Sequence, residues 1–285
     1  MSLVMFPEGA RPQSGYVWLV GAGPGAADLI TLRGLKALQR AEVVLHDDLA
    51  GRDLLDLCAP DAEFVYVGKR VGCHSAPQEE ISALLVHHAR RGKRVVRLKG
   101  GDPAVFGRLG EELDALRAAE IPFEIIPGVT AACAAAAAAG ISLTQRGVAS
   151  AAVLATGHEC ANKAMPPLDW EALAHPGTTL CVYMGTRSLP ALAARLIRNG
   201  HAADTPLLMI SDASRPTQIV RAGTLDTAAD LASYAHGTPS LVVIGQVAAH
   251  SVSSLVETAR RQSGSLRITQ KTSRPRTLVP AHVGA

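Results

Sequence analysis

The sequence predicts an α/β protein with two α/β domains, the first built on a mostly parallel sheet. Three observations predict it. Apolar runs alternate with helical patterns along most of the chain, which is the βαβ rhythm. The runs are continuously apolar, as strands buried on both faces are. A second series of such runs begins after the Pro127-Gly128 break, and 285 residues at 48% hydrophobic suffice for one or two cores.

Taken in order, the first domain has strand-like segments at Val17–Val20, Glu42–Leu45, Phe64–Val67, Val95–Leu98 and Phe123–Ile126, with helical stretches between them. The third helix is the clearest of these. Ser75 and Gln78 have capping-box spacing, Pro77 suits a first turn, Ile81, Leu84, Leu85 and His88 share a face, and Gly92 is a stop. Ala131–Ala139 reads as a close-packed helix with Thr130 as its cap. The second strand series is Ala151–Ala155, Thr179–Tyr183, Leu207–Ile210, Ile219–Ala222 and Leu241–Ile244, with an amphipathic helix at Leu189–Asn199. The expected organisation is therefore a mobile segment at 1–14, domains at 15–127 and 128–250, and a basic, mobile tail at 251–285.

Five cysteines, odd in number and without a CxxC pair, suggest neither a disulfide framework nor a zinc knuckle and fit a reducing compartment. The first fifteen residues lack a basic start followed by an apolar run, and no stretch of about 18 apolar residues occurs. A cytoplasmic protein without membrane association is expected. The net charge of +3 belongs to the tail, where six basic side chains stand against Glu257 alone; residues 1–250 carry 22 Lys and Arg against 24 Asp and Glu. Nucleic acid is therefore not an expected partner.

The loop GAGPGA at 21–26 leaves a buried strand and satisfies GxGxxA, with Asp47 at the end of the next strand. Alone, that pattern suggests a dinucleotide site and a nicotinamide dehydrogenase. Such a site needs a helix to start at the loop so that its amides meet pyrophosphate. Pro24 removes an amide, and helical periodicity resumes only near Thr31. A plain tight turn, a nicotinamide site and a site for another adenosyl cofactor all remain open. A second loop, KGGDPAVFGR at 99–108, follows a buried strand at the edge where open α/β sheets bind ligands; Gly100 and Gly101 permit unusual backbone angles, and Asp102-Pro103 fixes a turn.

Together and in this order, the stretches VGAGPGAADLITLRGLKAL, VGKRVGCHSAPQEEI, VVRLKGGDPAVFGR, IPGVTA, GISLTQRGVAS and VYMGTRSLP strongly resemble the uroporphyrinogen-III C-methyltransferases of the tetrapyrrole methylase family. They run from about Val17 to Gly245 and cover both expected domains. The KGGDP and YMG segments occur across related methylases, whereas GKR followed by HSxPQ points to the uroporphyrinogen enzyme. The resemblance implies two αβα domains around a cleft, a homodimer, and S-adenosylmethionine (SAM) as methyl donor, held largely by backbone groups. The reaction it implies is methylation of uroporphyrinogen III at carbons 2 and 7, through precorrin-1 to precorrin-2. A methylase of a later precorrin intermediate is the nearest alternative. Beside two such domains in 285 residues, the added dehydrogenase–ferrochelatase module of a multifunctional sirohaem synthase is not expected.

Carried over by position, the implied cofactor contacts are Pro24, Gly100, Gly101, Asp102, Val105, Thr130, Ala131, Met184 and Ala213. The implied proton acceptor is Asp47 and the donor Lys69, while Arg108, Glu111 and Arg146 match the substrate side. Lys69, Arg70, Arg97, Lys99, Arg108 and Arg146 are candidates to meet the substrate's carboxylates. Two departures from the family pattern stand out. The run His46-Asp47-Asp48-Leu49-Ala50 adds a second carboxylate beside the first, which either raises the first one's pKa or changes which faces the substrate. Ala213 stands where relatives often have Gly. No metal site is expected: His87 and His88 are adjacent on a helix, and His158-Glu159-Cys160 has no partner at ligand spacing.

Overall fold

The computed structural model describes residues 15–48, 51–68, 77–157, 168, 169, 173, 175, 177–235, 237–251, 279 and 280. Contacts divide them into two compact units: the first runs through Gly23 and from Ala27 to Val129, and the second begins at Thr130 and also takes Pro24–Ala26.

In the first unit, β1 (Tyr16–Gly21), β2 (Val43–His46), β3 (Glu63–Tyr66), β4 (Arg94–Lys99) and β5 (Phe123–Ile126) join one parallel sheet in the order β3-β2-β4-β1-β5. Between them lie α1 (Leu32–Arg40), α2 (Arg52–Leu55), α3 (Gln78–Arg90) and α4 (Leu109–Ala118). Successive strand residues point to opposite faces, and both faces are covered. Val17, Leu19, Val43, Leu45 and Val95 pack with Ile81, Leu84 and Leu85 of α3 and Leu116 of α4. Val20, Val44, Val96 and Leu98 pack with Ala37 and Leu38 of α1 and Leu54 of α2. Truncating a fully buried leucine such as Leu38 or Leu85 to alanine would cost about 2–5 kcal/mol.

α3 starts at Gln78, one residue later than a first-turn Pro77 requires, so Pro77 is its N-cap; Ser75 lies outside the described residues. Ile81, Leu84 and Leu85 are buried as the periodicity requires. From the 251–285 segment, Val279–Pro280 forms a two-residue strand (numbered β11 in chain order) parallel to Val65–Tyr66 of β3.

In the second unit, α5 (Ala131–Ala139) is followed by β6 (Ala151–Thr156), β7 (Thr178–Tyr183), α6 (Leu189–Arg198), β8 (Pro206–Ser211), β9 (Ile219–Thr224), α7 (Ala228–Ser233) and β10 (Ser240–Ile244). The sheet order is β6-β7-β10-β8-β9, parallel only for β6 with β7 and antiparallel for the other pairs. A short 212–218 connection lets β8 and β9 pair as neighbours without a crossover. Again both faces are covered. Leu180, Val182, Leu207 and Val242 pack with Leu192 and Leu196 of α6 and Leu231 of α7. Cys181, Leu208 and Val243 pack with Ala132, Ala135 and Ala139 of α5, whose small side chains let the helix lie close to the sheet. Each unit is thus a three-layer αβα sandwich.

Candidate active site

In the first unit, three glycines meet at the C-terminal edge of the sheet. A Cβ on Gly21 would lie 2.6 Å from Gly128 Cα, and one on Gly128 would lie 2.3 Å from the Gly101 carbonyl oxygen. No side chain fits at either position. The GAGPGA and KGGDP loops are stitched together by backbone alone: Gly101 N–H donates to Gly23 O at 2.7 Å, Gly23 N–H to Gly101 O at 3.2 Å, and Ala22 N–H to Lys99 O at 2.7 Å. Gly101 has φ 69°, a left-handed conformation that favours glycine.

α1 begins only at Leu32, where Thr31 caps it by accepting from Gly34 N–H at 3.1 Å. The displacement read from Pro24 and the late periodicity is therefore present: only a three-residue 3-10 turn, Ala27–Leu29, follows the glycines before the first α-helix. The pyrophosphate subsite of a dinucleotide fold is missing from this loop.

Asp102 braces the second loop from within. Its Oδ1 accepts from Ala104 N–H at 2.8 Å and its Oδ2 from Gly128 N–H at 3.0 Å, tying the turn to the start of the IPGVT segment. Val105 N–H donates to Asp102 O at 3.2 Å, closing the turn that carries Val105. Arg108, with φ 53°, ends the loop as the N-cap of α4 and grips Glu111 through two hydrogen bonds of 2.9 and 2.7 Å, both side chains being exposed.

Behind this edge lies a buried charge cluster. Arg97 and Lys99 alternate on β4, so both face the same side. Glu112 of α4 is fully buried and answers both: Arg97 Nε donates to Oε1 at 3.2 Å and Lys99 Nζ to Oε2 at 2.6 Å. Gln78 Nε2 adds a third donor at 3.2 Å. Arg97 Nη1 donates to Leu98 O at 2.9 Å, and its Nη2 reaches Asp47 Oδ2 at 3.1 Å. Burial pushes the Lys99 ammonium below its usual range, with Glu112 opposing that shift. The expectation that Arg97 and Lys99 meet substrate carboxylates is thus corrected: each is about 95% buried and held by internal anions. Burial required those cations to find partners inside.

The neighbouring Asp48 is engaged separately, accepting from Tyr66 Oη at 2.6 Å. His46 is buried edge-on to Phe64 and Tyr66, and burial pushes its imidazole pKa down. Lys69, with Arg70, lies outside the described residues.

In the second unit, Thr130 precedes α5 but does not cap it with its side chain. Its Oγ1 instead shares a 2.7 Å hydrogen bond with Tyr183 Oη, which also accepts from Ala132 N–H at 3.0 Å. The tyrosine on β7 thus supplies the cap expected from Thr130. Its phenol pKa is raised, chiefly by burial. Beside it, Met184 has φ 53° and an exposed side chain. Ala213 sits between Asp212 and Ser214, at φ 50° and 71°, in a turn fixed by Asp212 N–H to Pro239 O at 2.9 Å. Ser214 Oγ accepts from Ala26 N–H at 3.1 Å, anchoring the residues that follow Pro24. Arg146 is exposed at the tip of the Gln145–Ala149 turn and pairs with no described acid.

The family described as Tetrapyrrole (Corrin/Porphyrin) Methylases matches residues 16–229. The chain belongs to this family. A siroheme synthase of Tolumonas auensis is 53% identical over 235 residues, 82% of this chain and 50% of that protein. The chain therefore spans about half the length of the curated relatives it matches. Among solved structures, a uroporphyrin-III C-methyl transferase from Thermus thermophilus, in complex with S-adenyl homocysteine, is 38% identical with a TM-score of 0.71, covering 82% of this chain and 99% of that one. A cobalt precorrin-4 methyltransferase of cobalamin biosynthesis is 30% identical with a TM-score of 0.72, covering 82% and 95%.

Within this methylase frame, the expected residues fall into local groups. Gly100, Gly101, Asp102 and Val105 share one loop of the first unit with Arg108 and Glu111 just beyond, while Asp47 stands over the buried cluster. Thr130 and Ala131 share the start of α5, with Met184 beside Tyr183, in the second unit. Sequence reasoning missed Tyr183 and Glu112. Tyr183 stood in the quoted VYMGT stretch, and a hydroxyl ending an apolar strand was its signal. Glu112 was signalled only indirectly, by two cations inside a buried strand.

Proposed function

We propose that the chain transfers methyl groups from SAM to carbons 2 and 7 of uroporphyrinogen III, giving precorrin-2 through precorrin-1 with two equivalents of S-adenosylhomocysteine. The observation that carries this reading is the likeness to the Thermus thermophilus methyl transferase across 99% of that chain. The local structure fits the cofactor. Gly21 and Gly128 have no room for a Cβ, so the two loops meet backbone to backbone at the sheet edge, and α1 starts too late to bind a pyrophosphate.

When bound, SAM supplies a sulfonium methyl group that forms a bond to an electron-rich pyrrole carbon as the carbon–sulfur pair returns to sulfur. The protein's task is alignment, which can supply on the order of 7 kcal/mol or more. In this reading Pro24, Gly100, Gly101, Asp102, Val105, Thr130, Ala131, Met184 and Ala213 hold the cofactor. Asp47 takes the proton that the methylated macrocycle loses, Lys69 donates one, and Arg108, Glu111 and Arg146 face the substrate. The internal bonds of Asp102 make it a brace for the loop, so its contribution to the cofactor comes through Gly101 and Val105. The protein works in the cytoplasm as a homodimer, and its product feeds sirohaem, cobalamin or haem d1 synthesis. Among the described residues no helix is long and apolar enough to cross a membrane.

Anaerobic incubation with uroporphyrinogen III and isotopically labelled SAM, counting methyl groups in the product, tests the reading. Two methyl groups are expected. The similarity to the cobalt precorrin-4 enzyme favours one second reading, a later-intermediate methylase. SAM binding without any methylation of uroporphyrinogen III would select it.

A further inference from the structure

Glu112 has no part in the roles given above, yet it is the most enclosed charged group among the described residues and the centre of four charges. We infer that Glu112 is a positioning residue for methyl transfer, acting through Arg97 to fix the orientation of Asp47. This rests on the reading of Asp47 as proton acceptor.

Arg97 uses all three nitrogens: Nε on Glu112, Nη1 on the Leu98 carbonyl and Nη2 on Asp47. A planar fork held at two corners has one orientation left for the third. Leu98 O lies on the strand and is fixed, so Glu112 is the side chain that sets the plane. Its other oxygen holds Lys99, whose Cε lies 3.2 Å from where a Cβ on Gly107 would be, beneath the KGGDP loop. Glu112 therefore ties the acceptor strand end and the glycine loop to one point on α4.

Charge leads to the same assignment. Arg97 and Lys99 balance Glu112 and Asp47, two against two. Without the Glu112 charge, Asp47 alone would face two buried cations and be drawn toward them. A carboxylate drawn inward is a poorer proton acceptor at the substrate, whereas backbone contacts to a cofactor do not depend on it. A purely structural Glu112 would instead affect stability and every kinetic constant alike.

The test is a mutant cycle on the full chain with Glu112→Gln, Asp47→Asn and the double variant. SAM affinity is read by calorimetry, and kcat and KM from methyl transfer to uroporphyrinogen III. Glu112→Gln should lower kcat roughly 10- to 100-fold, since a misplacement of about 1 Å can cost that much. SAM affinity and KM should change less than about 3-fold. In the Asp47→Asn background, Glu112→Gln should cost almost nothing further. An equal loss in both backgrounds, or a loss confined to KM and SAM affinity, would overturn the inference.

Because Glu112→Gln strips a buried charge, Arg97→Lys provides a second arm. It keeps the charge but cannot span Glu112 and Asp47, and it should show the same dependence on Asp47. If neither variant folds, the cluster's role is structural and the inference is withdrawn. If Asp47→Asn alone leaves kcat at the wild-type level, the proton-acceptor reading itself has failed, and that single variant separates the two failures.

Discussion

Arg97 Nη2 and Asp47 Oδ2 lie 3.1 Å apart, an ion pair whose guanidinium is buried while the carboxylate keeps 23% of its surface exposed. Asp48, the neighbouring acid, is held instead by the phenol of Tyr66. The two carboxylates of the HDD run thus have different partners, and only Asp47 joins the buried cluster. Asp47→Asn is accordingly expected to lower methyl transfer by about 10²–10⁴-fold, the usual contribution of a positioned base. SAM affinity should hold, because only the reacting state uses the charge. Asp48→Asn should do much less. Labelled-methyl assays on both folded variants check this, and the reverse ranking would place the functional carboxylate one position later.

Gly101→Val addresses the glycine edge. At φ 69° a β-branched residue is strained by roughly 1–2 kcal/mol, and its side chain would enter the backbone surface proposed to receive the cofactor. Thermal stability should fall and SAM affinity should drop at least about tenfold. Calorimetry on the folded variant decides it: wild-type affinity would move the cofactor away from Gly101.

The sheets were legible in the sequence because strands buried on both faces write continuous apolar runs, and β5 matched to the residue. β1 and β4 extended further, to Gly21 and Lys99, because the ladder continues into residues whose types do not announce a strand. The antiparallel pairing of β7, β10, β8 and β9 was not legible, since burial looks the same whichever way a neighbour runs. At the candidate site, loop glycines were readable from backbone demands. Partners distant in sequence were not: Arg97 and Lys99 looked like substrate cations until the fold brought Glu112 beneath them. Thr130 looked like a helix cap until Tyr183, 53 residues away, took its hydroxyl.

Tyr183→Phe tests that exchange. The substitution keeps the ring and removes the one oxygen that meets both Thr130 Oγ1 and Ala132 N–H. An amide left without its partner in this half-buried position should cost about 1–3 kcal/mol. Urea denaturation should show the loss, and SAM affinity should fall with it if Ala131 backbone groups contact the cofactor. Unchanged stability would mean that water replaces the hydroxyl at no cost.

Acidification should destabilise the protein through its buried and half-buried histidines. Burial lowers the imidazole pKa of His46, His88 and His201 below the ordinary 6.5. In the unfolded chain these groups titrate at about 6.5. Below that pH the unfolded state binds more protons than the folded one, so stability is complete above it and is lost as the pH falls toward the folded-state values. His46 is the most direct probe, because its Nε2 is buried without a hydrogen-bond partner and its ring packs edge-on against Phe64 and Tyr66. His46→Phe keeps an aromatic ring in place and removes the titration. Melting temperatures taken between about pH 7.5 and pH 5.5 should therefore fall less steeply in His46→Phe than in the wild type. Carboxylates such as Glu42, whose pKa is held low by Arg94 and Lys93 against the opposing effect of burial, destabilise both proteins equally on acidification and cancel in the difference. Parallel slopes would show that His46 takes up a proton in the folded state as readily as in the unfolded one, contrary to the burial of its Nε2 without a partner.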